Sequence, residues 1–574
     1  MRRCAVAVLC LVVVALSPHS SAQNFSVLYN FCSQMSCPDG DVPQGTLIQG
    51  TDGDFYGTTS SGGTNHFGTV FKMTPVGVLT TLYSFCPHPE QSCPDGMNPW
   101  AGLVQANDGN FYGTTLAGGL SSAGTVFRIT PDGTLTTIHS FNGIDGFEPQ
   151  SALIQATDGY LYGTTSSGYQ RGTVFKINLQ GDLTLLHSFC TNGCSDGAYP
   201  QGSLIQATDG NLYGTTGGGG IHQQGTVFKI TPQGAFTSVY SFCAQQNCPD
   251  GAGPIGGLVQ ATDGNFYGTT NLGGANNYGT VFKLTPQGML SSLHSFNRTD
   301  GQNPYAGLIQ ATDGNFYGTT YQGGTGCLFY FCGTIFKITP GGTLTTLHSF
   351  DNSDGELIYS GLLQAKDASF YGTALNGGTN NAGTVFNLVV FAALSVGKSG
   401  MGTISSGDGK IYCGTMCSHL YDIGDELTLS AVPAPGYTFI GWTGCDNMNG
   451  SYCSVTMTSA RNVTATFATA NVTLTSLTFK PSYVRGGQVS AGTLTLSGHA
   501  PPGGVTIALS SDHPGVAHPP SFVFVPGGQA SVGFAVRTIP VKDKTTVMIT
   551  ATAGSSYVSG GLTVGTTFVP SSIK

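Results

Sequence analysis

The chain has 574 residues, of which 86 are Gly and only 9% are charged, a composition that disfavours long solvated helices. Because 40% of the residues are hydrophobic, an intrinsically disordered chain is excluded. The net charge of -9 is spread without an acidic or basic run, so the chain lacks the electrostatic footprint of a nucleic-acid-binding protein.

The N-terminus has the pattern of a secretory signal peptide over residues 1–22. Arg2 and Arg3 give a positive start, residues 5–16 form an apolar core, and residues 20–22 are small. A membrane anchor is the weaker interpretation, because the apolar run is shorter than the ~20 residues that span a bilayer. No later segment is apolar enough to cross a membrane. We therefore expect a mature protein that is secreted or displayed on the cell surface, without a membrane span.

Fourteen cysteines follow the predicted signal peptide, and they fall into seven close pairs. The pairs are Cys32/Cys37, Cys86/Cys93, Cys190/Cys194, Cys243/Cys248, Cys327/Cys332, Cys413/Cys417 and Cys445/Cys453. An even count in local pairs, in an exported chain, indicates disulfides. Zinc thiolates are the alternative, but their Cys-x-x-Cys spacing is absent from these pairs. In the last two pairs the sequence leaves a crossed connectivity open.

An internal repeat dominates the first two thirds of the chain. The tripeptide Tyr-Gly-Thr begins at Tyr56, Tyr112, Tyr162, Tyr213, Tyr267, Tyr317 and Tyr371. Each unit holds four short segments rich in β-branched and aromatic residues, in the fifth unit LVQAT, FYGTT, TVFKLT and MLSSLHSF. Asp-Gly joins the first two segments, which predicts a type I′ hairpin turn, and Pro-x-Gly joins the last two. Four antiparallel strands in about 50 residues is typical of a propeller blade.

The two ends of the repeat region predict how the blades close. The seventh unit stops after residues 383–386 and lacks a fourth strand, whereas residues 24–31 match that strand and have no blade before them. The sequence therefore predicts an all-β fold, with a seven-bladed β-propeller over residues 23–388 closed by the N-terminal strand. Closure removes an open sheet edge. The alternative, an open solenoid, leaves the N-terminal strand unexplained.

One face of the predicted propeller carries long and variable loops, and we expect binding on that face. The loops between strands two and three, and the crossovers between blades, are long and variable, and they carry all five propeller cysteine pairs. Variable loops on a rigid scaffold favour binding sites. Directly after the crossover Pro, or after Ile358 in the last unit, stand seven variable residues: Gln44, Trp100, Gln150, Gln201, Ile255, Tyr305 and Tyr359. A ring of amides and aromatics suits sugar or peptide binding, and simple loop packing is the alternative.

Residues that recur in every unit favour structural roles. Asp52 and its equivalents precede Gly in the first turn, except that Asp367 precedes Ala368, and a second series that begins at Asp39 precedes Gly in every crossover. We interpret both as turn or loop caps, with calcium binding as the alternative. Gln49 and its equivalents predict hydrogen bonds around the channel. A position shared by His and Tyr, such as His294 and Tyr83, indicates packing between blades rather than metal binding.

The motif GLIQATDGNFYGTT followed by GTVFKITPxGTLTTLHSF resembles the bacterial tandem repeat called the Gloeo/Verruco repeat. The resemblance covers residues 24–388. This repeat recurs in large secreted proteins with varied C-terminal anchors. It implies export and a propeller-like array, and it implies no established activity, so no catalytic residue carries over.

Two small β-domains are predicted after the repeats. Residues 392–468, with Trp442 after an alternating strand and the closing segment 463–467, resemble the divergent internalin-type B-repeat of bacterial surface proteins, which implies a spacer or protein-contact module. Residues 471–574 alternate apolar and polar positions in about seven strands and look like a bacterial immunoglobulin-like sandwich.

No catalytic signature appears in the sequence: neither Gly-x-Ser-x-Gly nor His-Glu-x-x-His occurs, and the few loop acids in the repeats are Glu90, Glu148 and Glu356. We therefore expect a non-catalytic, monomeric binding or adhesion protein that takes an extracellular glycan or protein without cofactor or metal. The alternative is a secreted polysaccharide hydrolase or lyase that uses the same face. The ligand, any calcium and the mode of anchoring are left open.

Overall fold

The computed structural model describes residues 24–88, 92–168, 171–191, 193–326, 331–414 and 416–566. The predicted signal peptide lies outside these residues. The described chain divides into two compact units, with the boundary between Val390 and Phe391. Its regular structure is entirely β. No helix long and apolar enough to cross a membrane occurs among the described residues.

The described residues of the first unit form 28 short strands. They are β1 (Asn24–Asn30), β2 (Ile48–Gln49), β3 (Phe55–Thr59), β4 (Thr69–Met73), β5 (Leu79–Ser84), β6 (Val104–Gln105), β7 (Phe111–Thr115), β8 (Thr125–Ile129), β9 (Leu135–Ser140), β10 (Ile154–Gln155), β11 (Leu161–Thr165), β12 (Thr173–Ile177), β13 (Leu183–Ser188), β14 (Ile205–Gln206), β15 (Leu212–Thr216), β16 (Thr226–Ile230), β17 (Phe236–Ser241), β18 (Val259–Gln260), β19 (Phe266–Thr270), β20 (Thr280–Leu284), β21 (Leu290–Ser295), β22 (Ile309–Gln310), β23 (Phe316–Thr320), β24 (Thr334–Ile338), β25 (Leu344–Ser349), β26 (Leu363–Gln364), β27 (Phe370–Ala374) and β28 (Thr384–Val389).

These strands form seven antiparallel four-stranded sheets within the described residues. Six of the sheets take four consecutive strands in sequence order, from β2–β5 to β22–β25. The seventh has the order β1-β28-β27-β26, so the N-terminal strand supplies its outer strand. In that pairing Phe25 lies opposite Leu388 and Val27 opposite Phe386. Each repeat therefore folds as a separate sheet, and the unit's last sheet is completed by its first strand.

The Gly of the Tyr-Gly-Thr motif is required by close packing inside each sheet. A Cβ on Gly57 would lie 2.5 Å from Cζ of Phe71 and 2.8 Å from Cδ2 of Leu47. Both of those atoms belong to buried side chains of the same sheet. No larger residue fits there without moving the core, which explains why the motif recurs unchanged.

The first turn of each repeat is not the predicted type I′ turn. At the first copy only Gly53 has a positive φ, of 91°, and Asp52 does not. The amide of Gly53 donates to the carbonyl of Gly50, and the amide of Gly50 donates to the carbonyl of Asp54. This is a three-residue loop made of a type I turn and a left-handed Gly. The type I′ prediction is wrong because Asp keeps a negative φ and uses its carboxylate to accept the Asp54 amide.

The hydrophobic core of this unit lies between neighbouring sheets. In five of the seven repeats the Tyr of Tyr-Gly-Thr packs on an aromatic ring of the next sheet, as Tyr56 does on Phe111 with 4.0 Å between ring centroids. Tyr112 and Tyr162 share a core with Leu161 and Leu212 instead. The same contact joins the last sheet to the first, through Tyr371 and Phe55 at 4.2 Å. Every sheet thus buries both faces although each is only four strands wide.

Where it is described, the second unit begins with nine strands over residues 391–469. They are β29 (Phe391–Ser399), β30 (Gly402–Ser406), β31 (Tyr412–Cys413), β32 (Ser418–Asp422), β33 (Glu426–Pro433), β34 (Tyr437–Thr443), β35 (Asn447–Asn449), β36 (Tyr452–Thr456) and β37 (Arg461–Thr469). Two sheets, β32-β29-β37-β34 and β31-β30-β33-β36-β35, share one hydrophobic core. Trp442 belongs to that core.

Nine further strands follow. They are β38 (Leu474–Lys480), β39 (Tyr483–Arg485), β40 (Val489–Leu496), β41 (Val505–Ser511), β42 (Ala517–His518), β43 (Phe522–Val525), β44 (Ser531–Thr538), β45 (Thr545–Ala553) and β46 (Ser556–Gly565). They form the sheets β38-β40-β44-β42 and β39-β46-β45-β41-β43. Buried aliphatic residues from both sheets make one core, separate from the core around Trp442.

Disulfides join the cysteine pairs that the sequence predicted. Six are Cys32–Cys37, Cys86–Cys93, Cys190–Cys194, Cys243–Cys248, Cys413–Cys417 and Cys445–Cys453. The connectivity in the second unit is therefore local and uncrossed. Cys332 is also disulfide-bonded, and its predicted partner Cys327 lies outside the described residues.

Candidate functional site

The seven variable residues that follow the crossovers line one cavity of about 110 Å³. They are Gln44, Trp100, Gln150, Gln201, Ile255, Tyr305 and Tyr359, one from each sheet. In six crossovers the next two residues also line it, and in the last crossover Gly361 does; all of these are Gly, Ala, Ser or Thr. A single cavity thus receives one large side chain from every repeat, on a floor of small residues.

A shared backbone conformation brings these side chains together. In every crossover the residue that precedes the Pro, or Ile358, has a positive φ, for example 60° at Val42 and 55° at Asn98. Such a residue is also held from both sides: the Asn98 amide donates to the carbonyl of Phe67, and its carbonyl accepts the amide of Leu116. Because a residue before Pro is restricted in any case, this turn is stiff. This turn places the residue after the Pro, or after Ile358, at the cavity.

Aromatic rings occupy one sector of the cavity. Tyr305 lies 4.9 Å from Tyr359 between ring centroids, and Trp100 lies 6.0 Å from Tyr359 in an edge-on contact. A fourth ring, Tyr321, packs on Tyr305 at 4.8 Å from outside the set of lining residues. Contacts of this kind hold the rings in fixed orientations.

Sequence reasoning missed Tyr321. It stands directly after the second strand, at the start of the loop between strands two and three. That position varies among the repeats much as the lining position does, so variation within an otherwise constant motif was the available signal. Glu356 lies near these rings, and burial raises the pKa of its carboxyl group. Burial also raises the pKa of Tyr321, and the nearby Tyr305 and the charge of Glu356 add to that rise. The Glu148 carboxylate instead accepts a hydrogen bond from Ser167 at 2.7 Å, and Glu90 lies outside the described residues.

One of the lining amides, Gln44, has a buried polar atom without a partner. Gln44 is 7% exposed, and its Nε2 donates to Oγ of Ser60 at 3.0 Å. The Ser60 hydroxyl itself donates to the carbonyl of Val42, so it must accept from the Gln44 amide nitrogen. Oε1 of Gln44 is therefore left without a hydrogen-bond partner. An unsatisfied buried acceptor is costly unless something else supplies a donor.

The indole N–H of Trp100 is also buried without a hydrogen-bond partner. This N–H is near the Tyr359 hydroxyl, but the two groups do not have the geometry of a hydrogen bond. Its proximity lowers the pKa of the Tyr359 phenol. Burial, with Tyr305 and Tyr321 nearby, nevertheless raises the pKa of Tyr359 to about 12. The phenol is therefore neutral at physiological pH, and the lining contains no Asp, Glu, Lys, Arg or His.

The crossover aspartates are engaged by the position that His and Tyr share. The seven pairs are Tyr29–Asp39, Tyr83–Asp95, His139–Asp145, His187–Asp196, Tyr240–Asp250, His294–Asp300 and His348–Asp354, at 2.8–3.0 Å. Each carboxylate also accepts a backbone amide of its own crossover, for example that of Cys86. Tyr and His interchange because both offer a donor at this place. Packing contributes too, since His187 stacks on Phe236 of the next sheet at 4.0 Å.

The aspartates of the first turn have equally local partners. Each accepts the hydroxyl of the Tyr in Tyr-Gly-Thr, at 2.6–3.0 Å. Four also form ion pairs with Lys72, Lys229, Lys283 and Lys337. Among the described residues, no group of three or more His, Cys, Asp or Glu side chains is arranged to hold a metal ion.

The seven glutamines of the first strands form a hydrogen-bonded ring. The Oε1 atom of each accepts a backbone amide from the preceding sheet at 2.8–3.1 Å. The series includes the amide of Lys366 in the last sheet, which donates to Gln49 in the first. Each Nε2 donates within its own hairpin, as Gln49 does to the carbonyl of Gly53. These residues are therefore committed to joining the sheets and do not line the cavity.

The family model of the Gloeobacter/Verrucomicrobia repeat matches residues 88–249 and 240–415, which together make up more than half of the chain. The chain belongs to this repeat family. A second model, the divergent InlB B-repeat domain, matches residues 396–471 of the repeat protein. No curated protein matches the chain.

Several solved structures align with the repeat protein at low sequence identity. A protein of unknown function from Bacteroides thetaiotaomicron has 16% identity and a TM-score of 0.36, and the match covers 64% of the repeat protein and 76% of that chain. An auxiliary nutrient binding protein from the same organism has 12% identity and a TM-score of 0.34, with 61% and 69% covered. An ulvan lyase, a polysaccharide lyase, has 9% identity and a TM-score of 0.32, with 62% and 92% covered. Values this low transfer no function to the repeat protein.

Proposed function

We propose that residues 23–388 form a seven-bladed β-propeller closed by the N-terminal strand. Two contacts between the last sheet and the first support closure. The ring of Tyr371 packs on Phe55, and the backbone amide of Lys366 donates to Gln49. Each repeats a contact that joins other neighbouring sheets, and the pairing of β1 with β28 completes the last sheet with a fourth strand.

We also infer that the protein is exported and works outside the cell. Disulfides persist in oxidising compartments, and every described cysteine of the mature chain is disulfide-bonded. The signal peptide over residues 1–22, the B-repeat module over 392–468 and the immunoglobulin-like module over 471–574 belong to the same proposal. The two-sheet arrangement of each C-terminal segment, with a core of its own, supports the division after residue 468.

The function we propose is non-catalytic glycan binding in the cavity lined by the seven post-crossover residues. The single observation that carries it is the lining itself, which brings three aromatic side chains and three amide side chains together in one cavity. Aromatic faces pack against the apolar faces of sugars, and amides exchange hydrogen bonds with hydroxyls. The lining contains no acid or imidazole to serve as a general acid or base, which favours binding over hydrolysis or elimination.

The test is retention on insoluble plant and bacterial polysaccharides, with the double variant Trp100→Ala/Tyr305→Ala. We expect the mature protein to be retained and the variant to bind at least tenfold more weakly. Tyr557→Ala is the matched control, since Tyr557 is an exposed aromatic residue that does not line the cavity. Equal retention of the double variant would contradict the proposal. New reducing or unsaturated ends would identify an enzyme instead, and cavity-dependent binding of a protein alone would replace the glycan by a protein ligand.

A further inference from the structure

The third sheet, β10–β13, has a groove at its outer end whose lining departs from the repeat pattern. The groove has a volume of about 750 Å³. It lies between the crossover that enters this sheet, the loop between the second and third strands, and the outer strand β13. Three large apolar side chains, those of Ile144, Phe147 and Leu185, meet in it.

Leu185 stands where most sheets have a hydroxyl-bearing residue. It lies opposite Phe175 in the pairing of β12 with β13. In the same register five other sheets have Ser or Thr, and the seventh has Val27. The five are Thr81, Thr137, Ser238, Ser292 and Thr346. Leu185 is 40% exposed, so the fold itself does not require a large apolar side chain here.

Ile144 is a second apolar replacement, in the crossover. Its backbone amide donates to Oδ1 of Asn142. In the two other crossovers that lack cysteines, the residues that make the same kind of hydrogen bond are Thr299 and Ser353. Ile144 is 86% exposed, which is ordinary for Thr or Ser but costs free energy for Ile.

Phe147 is the third replacement. It forms an isolated β-bridge with Ser167, and each of the other crossovers has an equivalent bridge. The residues at that place are Asp41, Met97, Ala198, Ala252, Gln302 and Glu356. Single exposed apolar residues are normal on a protein surface. Three that replace smaller or polar residues and meet in one groove indicate a binding site.

The first sheet has the same kind of groove without the apolar lining. That groove has a volume of about 680 Å³, and Thr81 and Ser84 line it where Leu185 and Ser188 line the groove of the third sheet. Its crossover side includes Asp39, the partner of a tyrosine hydroxyl. The groove is therefore a product of the fold, whereas the apolar lining comes from the sequence of the third repeat.

Two polar groups of the groove are free to bind a ligand. The hydroxyl of Ser188 makes no hydrogen bond within the described chain. In four other sheets the side chain at this position accepts an amide of the neighbouring loop, as Ser84 does from Thr64. Nδ2 of Asn142 also has no acceptor among the described residues, because only its Oδ1 is engaged. Both groups can donate to a ligand atom.

The charge of the groove restricts its ligand. No side chain of the described lining is charged. The charged residues of the adjoining loops are engaged elsewhere: Asp145 pairs with His139, the Arg171 guanidinium lies over the ring of Tyr199, and the Glu148 carboxylate accepts a serine hydroxyl. A charged ligand would lose its hydration without gaining a partner, so the complementary ligand is uncharged.

The size of the groove favours a small molecule over a protein partner. A stable protein interface takes about 20–30 residues from each side. The described lining of the groove comes from a single repeat and its crossover. Pockets for small molecules have volumes of about 300–1,000 Å³ and combine an apolar lining with a few polar groups, as this groove does.

We propose that the groove of the third sheet binds an uncharged small molecule, with an apolar body that packs on Ile144, Phe147 and Leu185 and an acceptor atom that takes a hydrogen bond from Ser188. The groove shares no lining residue with the cavity of the seven post-crossover residues. This binding is therefore additional to the proposed glycan binding.

The experiment is a titration of the full mature protein with Nile red, an uncharged dye that has a ring carbonyl and changes its emission in apolar surroundings. We expect saturable binding of one dye per chain. The double variant Ile144→Thr/Leu185→Thr carries residues that other repeats have at these positions, and it should weaken binding about tenfold. Ser188→Ala should weaken it about threefold. Ile221→Thr is the matched control, since Ile221 is exposed and lies outside the groove.

Every other result overturns a definite claim. Absence of saturable binding, or full affinity of Ile144→Thr/Leu185→Thr, overturns the site. If the anionic dye anilinonaphthalene sulfonate binds as tightly and depends equally on Leu185, the ligand need not be uncharged and that claim is wrong. Full affinity of Ser188→Ala overturns the assigned hydrogen bond. Retention on polysaccharides tests the proposed glycan binding separately and is independent of all these results.

Discussion

At the scale of single residues, the crossover aspartate and its Tyr or His partner show how one repeat position accepts two chemistries. The carboxylate of Asp300 accepts Nε2 of His294 at 2.9 Å and the amide of Asn297 at 2.9 Å. In other repeats a Tyr hydroxyl replaces the imidazole at the same distance, as Tyr83 does with Asp95. What the position requires is a donor on an aromatic ring, because the ring packs and the donor satisfies one oxygen of the carboxylate.

This predicts that His294→Tyr is tolerated and His294→Phe is not. The first variant keeps a donor for Asp300 and should change the free energy of unfolding by less than about 0.5 kcal/mol. The second leaves the carboxylate one donor short and should lower it by about 1–2 kcal/mol. Chemical denaturation of both variants measures the difference. Equal stabilities would show that packing alone decides this position.

The tyrosines of the Tyr-Gly-Thr motif predict the alkaline limit of stability. Burial, together with a hydrogen bond to the carboxylate of Asp52, raises the pKa of Tyr56 to about 12 from an ordinary value of 10.0. The same causes raise the pKa of Tyr112, Tyr162 and Tyr371. The folded protein thus holds these protons more tightly than the unfolded chain. Their contribution to stability is fully present below pH 10 and is lost as the pH rises through about 12.

A pH titration followed by tyrosinate absorbance and circular dichroism tests this. We expect these tyrosines to ionise together with unfolding, above pH 10, rather than in the folded state. Ionisation near pH 10 with the β-sheet signal intact would contradict it.

At the scale of elements, the N-terminal strand β1 contributes to the junction between the sixth and seventh sheets. Its residue Phe25 stacks on His348 of the sixth sheet at 3.7 Å and meets Phe386 of the seventh at 5.7 Å. Phe236 occupies the equivalent place beside His187 in the middle of the repeat region. The N-terminal strand therefore makes the contacts of an ordinary fourth strand, although about 350 residues separate it from its sheet.

We expect Phe25→Ala to lower the free energy of unfolding by about 2 kcal/mol, since it removes a half-buried ring from a junction between sheets. Ser26→Ala, at the exposed neighbouring residue of the same strand, should have almost no effect. Thermal unfolding of both variants provides the comparison. If Phe25→Ala is as stable as Ser26→Ala, β1 does not contribute to the junction as described.

At the scale of the whole molecule, the boundary between Val390 and Phe391 predicts independent folding. The strands, cores and disulfides of the first unit are complete without any residue beyond 390. A protein that comprises residues 23–390 should therefore unfold cooperatively, at the midpoint temperature of the matching transition in the full chain. Calorimetry of the two proteins measures this. A loss of the cooperative transition would show that the first unit depends on the second.

The sequence by itself determined the periodic features. The β class, the four segments per repeat, the match between residues 24–31 and the missing strand, and the local cysteine pairs all follow from residue types at fixed spacing, because alternation and turn chemistry are local properties. The seven post-crossover positions were also identifiable, since variation stands out against a repeat. The tertiary structure decided the rest. Whether Asp52 turns as type I or type I′, which donors satisfy the crossover aspartates, how Tyr321 joins the aromatic rings, and that Gln44 is left with a free acceptor all depend on contacts between distant segments, which no local pattern specifies.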